Sequence, residues 1–110
     1  MIGMPRFFSS KGMDDYVRQA RETAGAVIVD VRSPAEFAQG HVEGAVNVPG
    51  TSIERIAKIV PDKDTPLYLH CQSGVRSGAA SRTLKAMGYT NVTNMGGISR
   101  YSGTVVKGSR

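Results

Sequence analysis

Apolar residues recur along this chain with two different periods, and the periods alternate. Met13, Tyr16, Val17 and Ala20 follow helical spacing and Gly25 stands just beyond as a stop, which predicts a helix over Met13–Thr23. Ala26–Asp30 is a continuous run rich in β-branched residues, the pattern of a strand buried on both faces. Ser33, Pro34 and Glu36 form a capping box with proline at the first helical position, opening a short helix that Gly40 ends. Ala45–Val48 predicts a short strand closed by Pro49 and Gly50. Thr51 and Glu54 repeat the capping signature ahead of Ile53, Ile56, Ala57 and Val60, so an amphipathic helix is expected there.

Beyond a loop at 61–66, Leu67–His70 predicts a strand that runs directly into Cys71. Gln72–Arg76 is expected to turn, and a helix follows from about Ser77 to Met87, with Ala80, Leu84 and Met87 as its buried stripe and Gly88 just past its end. Asn91–Asn94 is a last short strand. Residues 1–12 are expected to be a lead-in, with a short strand at Phe7 and Phe8, and 102–110 an irregular tail. No repeat, low-complexity segment or boundary divides the chain, so residues 1–110 are expected to form a single domain. Strands alternating with helices point to the α/β class, a sandwich built around a mostly parallel sheet.

Composition narrows the function more than the fold. The net charge of +5 is scattered over the chain, Trp is absent and aromatics make up 6%, whereas a nucleic-acid binder concentrates its basic residues in a patch. A solvated surface is the favoured reading, with a positive field that attracts small anions as the functional one. No apolar run approaches the ~18 residues of a membrane span. The single cysteine excludes an internal disulfide, and with two histidines it makes a closed zinc site improbable, so no metal is expected. The first ten residues lack the apolar core of a signal peptide, and a cytoplasmic monomer is the expectation.

Candidate chemistry converges on His70-Cys71-Gln72-Ser73-Gly74-Val75-Arg76-Ser77. This stretch puts a cysteine at the carboxyl end of a buried strand and at the entrance of a helix, the sheet edge where ligands bind. Free N–H groups of the turn and of the first helical turn converge there on an anion, and the same donors favour a thiolate. Gly74 allows the amides to curl around the sulfur, and Arg76 adds a charge able to hold an anionic substrate. A lone cysteine is more often a small buried hydrophobe. The strand-to-helix placement, the glycine and the arginine together favour reactivity; Arg76 alone reads equally well as a surface residue or the partner of a helix carboxylate.

The loop resembles the active-site loop of rhodanese-homology domains, the thiosulfate sulfurtransferase family. Asp30-Val31-Arg32, Glu36-Phe37, Gly40-His41 and Gly44-Ala45 with Asn47 and Pro49 match further elements of that family in order, as do Gly96-Gly97-Ile98 with an aromatic, Tyr101, where Trp is usual. The resemblance spans about Met13 to Tyr101. It implies the rhodanese fold, a three-layer sandwich with helices on both faces of the central sheet. It also implies chemistry at Cys71, which takes the outer sulfur of thiosulfate as a persulfide, expels sulfite, and passes the sulfur to cyanide or a thiol. Gln72, Ser73, Gly74, Val75 and Arg76 would cradle the substrate, and no cofactor is required; Arg32, which follows a strand end, reads about equally as a substrate contact bordering the same pocket or as part of a structural network.

Asp30, Glu36 and His41 read best as a structural network, with Glu36 engaged in its cap. His70 is a poor base for Cys71, because neighbours on a strand point to opposite faces. Ser73 and Ser77 are possible donors to the sulfur, with helix capping as the plainer role for Ser77. Two rivals remain. A cysteine-loop phosphatase or arsenate reductase resembles Cys-x5-Arg, but here Ser77 holds that arginine's place. A persulfide relay serving a protein sulfur acceptor would share the chemistry at Cys71.

Overall fold

The computed structural model describes residues 11–109. Four strands form a parallel sheet: β1 (Val27–Asp30) lies between β3 (Val46–Asn47) and β4 (Leu67–Cys71), and β5 (Val92–Gly97) flanks β4. Side chains alternate across it. Val29, Val31, Leu67, Leu69 and Cys71 face one core with Ile53, Ile56, Ala80 and Leu84, while Ile28 and Tyr68 face another with Met13, Val17, Ala20 and Phe37. Helices α3 (Ile56–Ile59) and α4 (Val75–Ala86) cover the first face. Helix α1 (Met13–Arg21) covers the second, joined there by Phe37 of α2 (Pro34–Gln39). This is the three-layer α/β architecture, and the two-sided burial explains why β1 and β4 read as unbroken apolar runs.

Several boundaries differ from the sequence expectation, each for a local reason. Helix α1 stops at Arg21 instead of Thr23, where the Thr23 hydroxyl donates to the Gln19 carbonyl (2.7 Å). The capping box of α2 forms as expected: Ser33 accepts from the Glu36 N–H and Glu36 accepts from the Ser33 N–H. Thr51 caps nothing. Gly50 donates to the Val31 carbonyl (2.9 Å), Pro49 leads into a 3-10 segment at Gly50–Arg55, and only Ile56–Ile59 is α-helical. Helix α4 begins at Val75, two residues before the expected Ser77, because left-handed Gly74 (φ +103°) turns the chain straight into it. Val75 and Arg76 therefore belong to its first turn rather than to the preceding loop, and Ser77 is a buried helical residue instead of a cap.

The chain after Tyr101 is not wholly irregular. Val105–Val106 (β6) pair antiparallel with β2 (His41–Val42), a ribbon that no periodic signal announces because each strand has two residues. Strand β5 runs on to Gly97, and its register against β4 shifts between Leu69 and His70, leaving Met95 as an extra residue that turns into the α1-side core. The expected strand at Phe7 and Phe8 lies outside the described residues.

Candidate active site

Cys71 is the last residue of β4, at the carboxyl edge of the sheet, and the chain from Gln72 to Gly74 wraps back over it before α4 begins. The Gly74 N–H donates to the Cys71 Sγ at 3.0 Å, and the Ser77 hydroxyl lies 3.5 Å from it. Cys71 is only 1% exposed, whereas Gln72, Ser73, Val75 and Arg76 all turn their side chains to solvent. The loop therefore offers its backbone to the sulfur and its side chains to the outside. Burial pushes the Cys71 thiol up, but hydrogen bonds from the Ser77 hydroxyl and from the N–H groups of Ser77, Gly74 and Ser73 outweigh it, so the thiol lies below its ordinary range.

The glycine pair is the floor of this cradle. A Cβ on Gly97 would stand 2.2 Å from the Gln72 carbonyl oxygen and 2.6 Å from the Ser73 Cα, so the loop packs directly on bare backbone. Gly74 meets Gly96 in the same way, at 3.2 Å from its own notional Cβ to the Gly96 Cα. Ser99 adds an N–H to the Gln72 carbonyl (3.2 Å). A sulfur seated on converging amides, with a close-packed glycine floor, suits a nucleophile that must carry negative charge in a nearly dry site.

Comparison with known proteins bears on what this cradle belongs to. The rhodanese-like domain family matches residues 13–104. The chain belongs to the rhodanese family. It is an enzyme of the sulfurtransferase class. It is 44% identical over 81 residues to the thiosulfate sulfurtransferase PspE of Escherichia coli strain K12, covering 73% of this chain and 78% of that protein. It is 36% identical over 78 residues to the thiosulfate sulfurtransferase GlpE of Stutzerimonas stutzeri, covering 71% of each chain. A solved structure of a rhodanese with anions from E. coli superposes with a TM-score of 0.71 at 43% identity, covering 76% of this chain and 99% of that one.

In this rhodanese the two arginines singled out from sequence are both engaged. Arg76 donates to both Glu36 carboxylate oxygens, at 2.8 and 3.0 Å, across the mouth of the loop. The Arg76 guanidinium and the Ser33 N–H hold Glu36 down to about 2 from an ordinary 4.5. Glu36 thus joins the cap of α2 to the first turn of α4. Folding lowers this carboxyl's pKa, so its contribution to stability is present above pH 4.5 and is lost as pH falls toward 2. Because the pair is half-exposed, the effect is modest. Glu36→Gln should flatten that part of the acid-unfolding curve, read by circular dichroism; an unchanged acid limb would refute the assignment.

Arg32 is buried. It donates to both Asp30 carboxylate oxygens (2.7–3.1 Å) and to the Gly40 carbonyl (2.7 Å), while Asn47 donates to the Asp30 and Arg32 carbonyls. His41 stacks on Phe37 with ring centroids 3.6 Å apart. These residues tie β1, α2 and β3 together behind the loop. His70 lies across the sheet from the sulfur, as strand alternation requires; its Nδ1 meets the Cys71 carbonyl (3.0 Å) and its Nε2 faces Asp30 at 3.5 Å. Desolvation lowers its pKa despite Asp30, which keeps the ring neutral. No cluster of metal-ligating side chains occurs among the described residues, and no described helix is long and apolar enough to cross a membrane.

A groove of about 540 Å³ adjoins the first turns of α4, lined by Val31, Pro34, Pro49, Arg55, Arg76 and Thr83 among others, with no carboxylate in its wall. Sequence reasoning singled out neither Gly97 as the loop's floor nor Asn94, whose side chain reaches the Gly74 carbonyl. The glycine pair was visible as a motif; its contact with residues 72–73 was not.

Proposed function

We propose that this rhodanese is a thiosulfate sulfurtransferase that carries sulfane sulfur as a persulfide on Cys71. The observation that carries the reading is the Gly74 N–H at 3.0 Å from a sulfur seated at the strand-to-helix turn. The Cys71 thiolate attacks the outer sulfur of thiosulfate, a new S–S bond forms, and the old one breaks with its electron pair leaving on sulfite. Cyanide or a thiolate then attacks the terminal sulfur of the persulfide, and the bond electrons return to Cys71 as thiolate. The charge is negative throughout, so the fixed amides serve both steps, and double-displacement kinetics are expected.

The backbone of Gln72, Ser73, Gly74, Val75 and Arg76 forms the cradle, and no organic cofactor or metal takes part. Arg76 and Arg55 line the groove beside the loop and draw anions toward it. Arg32, held by Asp30, acts by positioning. The reading includes a monomer in the cytoplasm, where thiols are at hand as acceptors.

Intact mass after incubation with thiosulfate tests the proposal. Wild type should gain one sulfur atom, the Cys71→Ser chain none, and cyanide should remove it. No gain in wild type would sink the thiosulfate assignment. Arg76→Ala should raise KM for thiosulfate by roughly 3–10-fold with kcat nearly unchanged, since a half-exposed cation already paired with Glu36 contributes about 1 kcal/mol. Wild-type kinetics at low thiosulfate would remove Arg76 from substrate capture.

A further inference from the structure

Asn94 stands on β5, beside the bulge at Met95, and its one side-chain amide meets three groups of the cradle. Its Oδ1 accepts from the Ser77 hydroxyl at 2.7 Å and from the Gly96 N–H at 3.0 Å, and its Nδ2 donates to the Gly74 carbonyl at 3.2 Å. The orientation of the amide is set by its neighbours, because the Gly96 N–H can only donate and the Gly74 carbonyl can only accept. Gly74 and Ser77 are the same two residues whose N–H and hydroxyl face the Cys71 sulfur.

Ser77 has one proton to donate and four acceptors in reach: Asn94 Oδ1 at 2.7 Å is the nearest, followed by the Gly74 carbonyl at 3.2 Å, and Cys71 Sγ and the Gly96 carbonyl at 3.5 Å. We infer that Asn94 is a positioning residue that competes with the Cys71 sulfur for the Ser77 hydroxyl proton and so sets how strongly the cradle favours the thiolate. With a neutral thiol the shorter bond to Asn94 wins, and the Ser77 oxygen turns a lone pair toward the S–H. With an anionic sulfur the charge-assisted bond wins, and the hydroxyl rotates about its C–O bond without moving the backbone. No proton changes owner; one hydroxyl changes acceptor.

Such a brake has a chemical use. A thiol whose pKa falls far below ambient pH is all thiolate but a poor nucleophile, and the best attacking sulfur titrates near working pH. Amides alone pull Cys71 in one direction; a competitor for the hydroxyl opposes them. Among the described residues, Arg76 lies close enough to Cys71 for their charges to interact, but it is paired with Glu36, as Arg32 is with Asp30, and none of these four hydrogen-bonds to Ser77 or Asn94. Arg82 and Asn94 both lie near Gly78, but the structure records no hydrogen bond between them.

The inference draws its functional meaning from Cys71 as sulfur carrier, but its test needs no sulfur transfer. The single cysteine gives one thiolate signal, read as ultraviolet absorbance against pH and taken as the difference from the Cys71→Ser chain. Asn94→Ala, at an exposed position, should move the titration midpoint to lower pH, because Ser77 is freed to donate to the sulfur. Asn94→Asp keeps the acceptor and should move it upward, at high salt as at low. In a Ser77→Ala background the Asn94→Ala shift should shrink to less than about half, the non-additivity expected of groups acting through one another. Equal Asn94→Ala shifts in both backgrounds, or no shift in a folded Asn94→Ala chain, would overturn the inference. A wild-type chain that failed to take sulfur from thiosulfate yet showed these shifts would sink the proposed function and leave the role of Asn94 standing.

Discussion

Cys71→Ser loses sulfur loading and turnover by at least about 10³-fold while the chain stays folded. The hydroxyl that replaces the thiol is smaller and can still accept the Gly74 N–H, so the cradle closes around it much as before. What it lacks is an ionised, polarizable atom: serine stays protonated at neutral pH, and among the described residues none near the loop can take its proton. His70 is on the other face of the sheet and neutral, with its Nδ1 engaged by the Cys71 carbonyl. Thermal unfolding should move by only a few degrees, since one sulfur is exchanged for oxygen at a site that already offers hydrogen bonds. Appreciable thiosulfate turnover in this variant would place the nucleophile elsewhere and dismantle the proposed mechanism.

Gly97→Ala is the other large effect. The backbone angles of Gly97 are those of an ordinary extended residue (φ −123°, ψ 142°), so alanine suffers no conformational strain. It suffers a collision. The new methyl carbon would lie 2.2 Å from the Gln72 oxygen, 2.8 Å from the Gln72 carbonyl carbon and 2.6 Å from the Ser73 Cα. All three are backbone atoms, so no side-chain rotation relieves the contact, and either β5 or the sulfur loop must move. Overpacking of this kind costs about 1–3 kcal/mol, or a fall of about 4–8 °C in Tm for each kcal/mol at this size. The loop is the softer element, held by fewer bonds than the sheet, so it gives way and its amides leave the sulfur. An error near 1 Å in such a cradle lowers kcat/KM by roughly 100-fold. Differential scanning calorimetry and steady-state kinetics measure the two losses. Wild-type values for both would show that the glycine pair is not the floor of the site.

The part of the molecule most open to reading from sequence was the part whose rules are local. The capping box at Ser33 and Glu36 depends on residues three apart, and it formed as written. Strands β1 and β4 were visible because burial on both faces keeps them apolar until Asp30 and His70 near their carboxyl ends, and alternation along β4 was enough to set His70 and Cys71 on opposite faces. Thr51 and Glu54 carried the same capping letters as Ser33 and Glu36, yet a tertiary bond from Gly50 to Val31 decided how that segment enters its helix. The pairing of Val105–Val106 with His41–Val42 joins two-residue strands distant along the chain, and nothing nearby in sequence encodes it.

The same division runs through the site. The sequence alone determined the α/β class, the cysteine at the junction of strand and helix, and the glycine that bends the loop, because strand period, cap chemistry and left-handed backbone are properties of short stretches. Only the tertiary structure decided the partners. Arg76 could meet substrate or a helix carboxylate and is clasped by Glu36 of α2; Arg32 could border the pocket or join a structural network and is buried on Asp30; Ser77 could cap the helix or donate to the sulfur and faces the sulfur. Asn94 and Gly97, which close the cradle from β5, lie more than twenty residues from Cys71 along the chain. A charged or polar side chain advertises what it can bind, but which of several equal partners it meets depends on how strands far apart in sequence are laid side by side in one sheet.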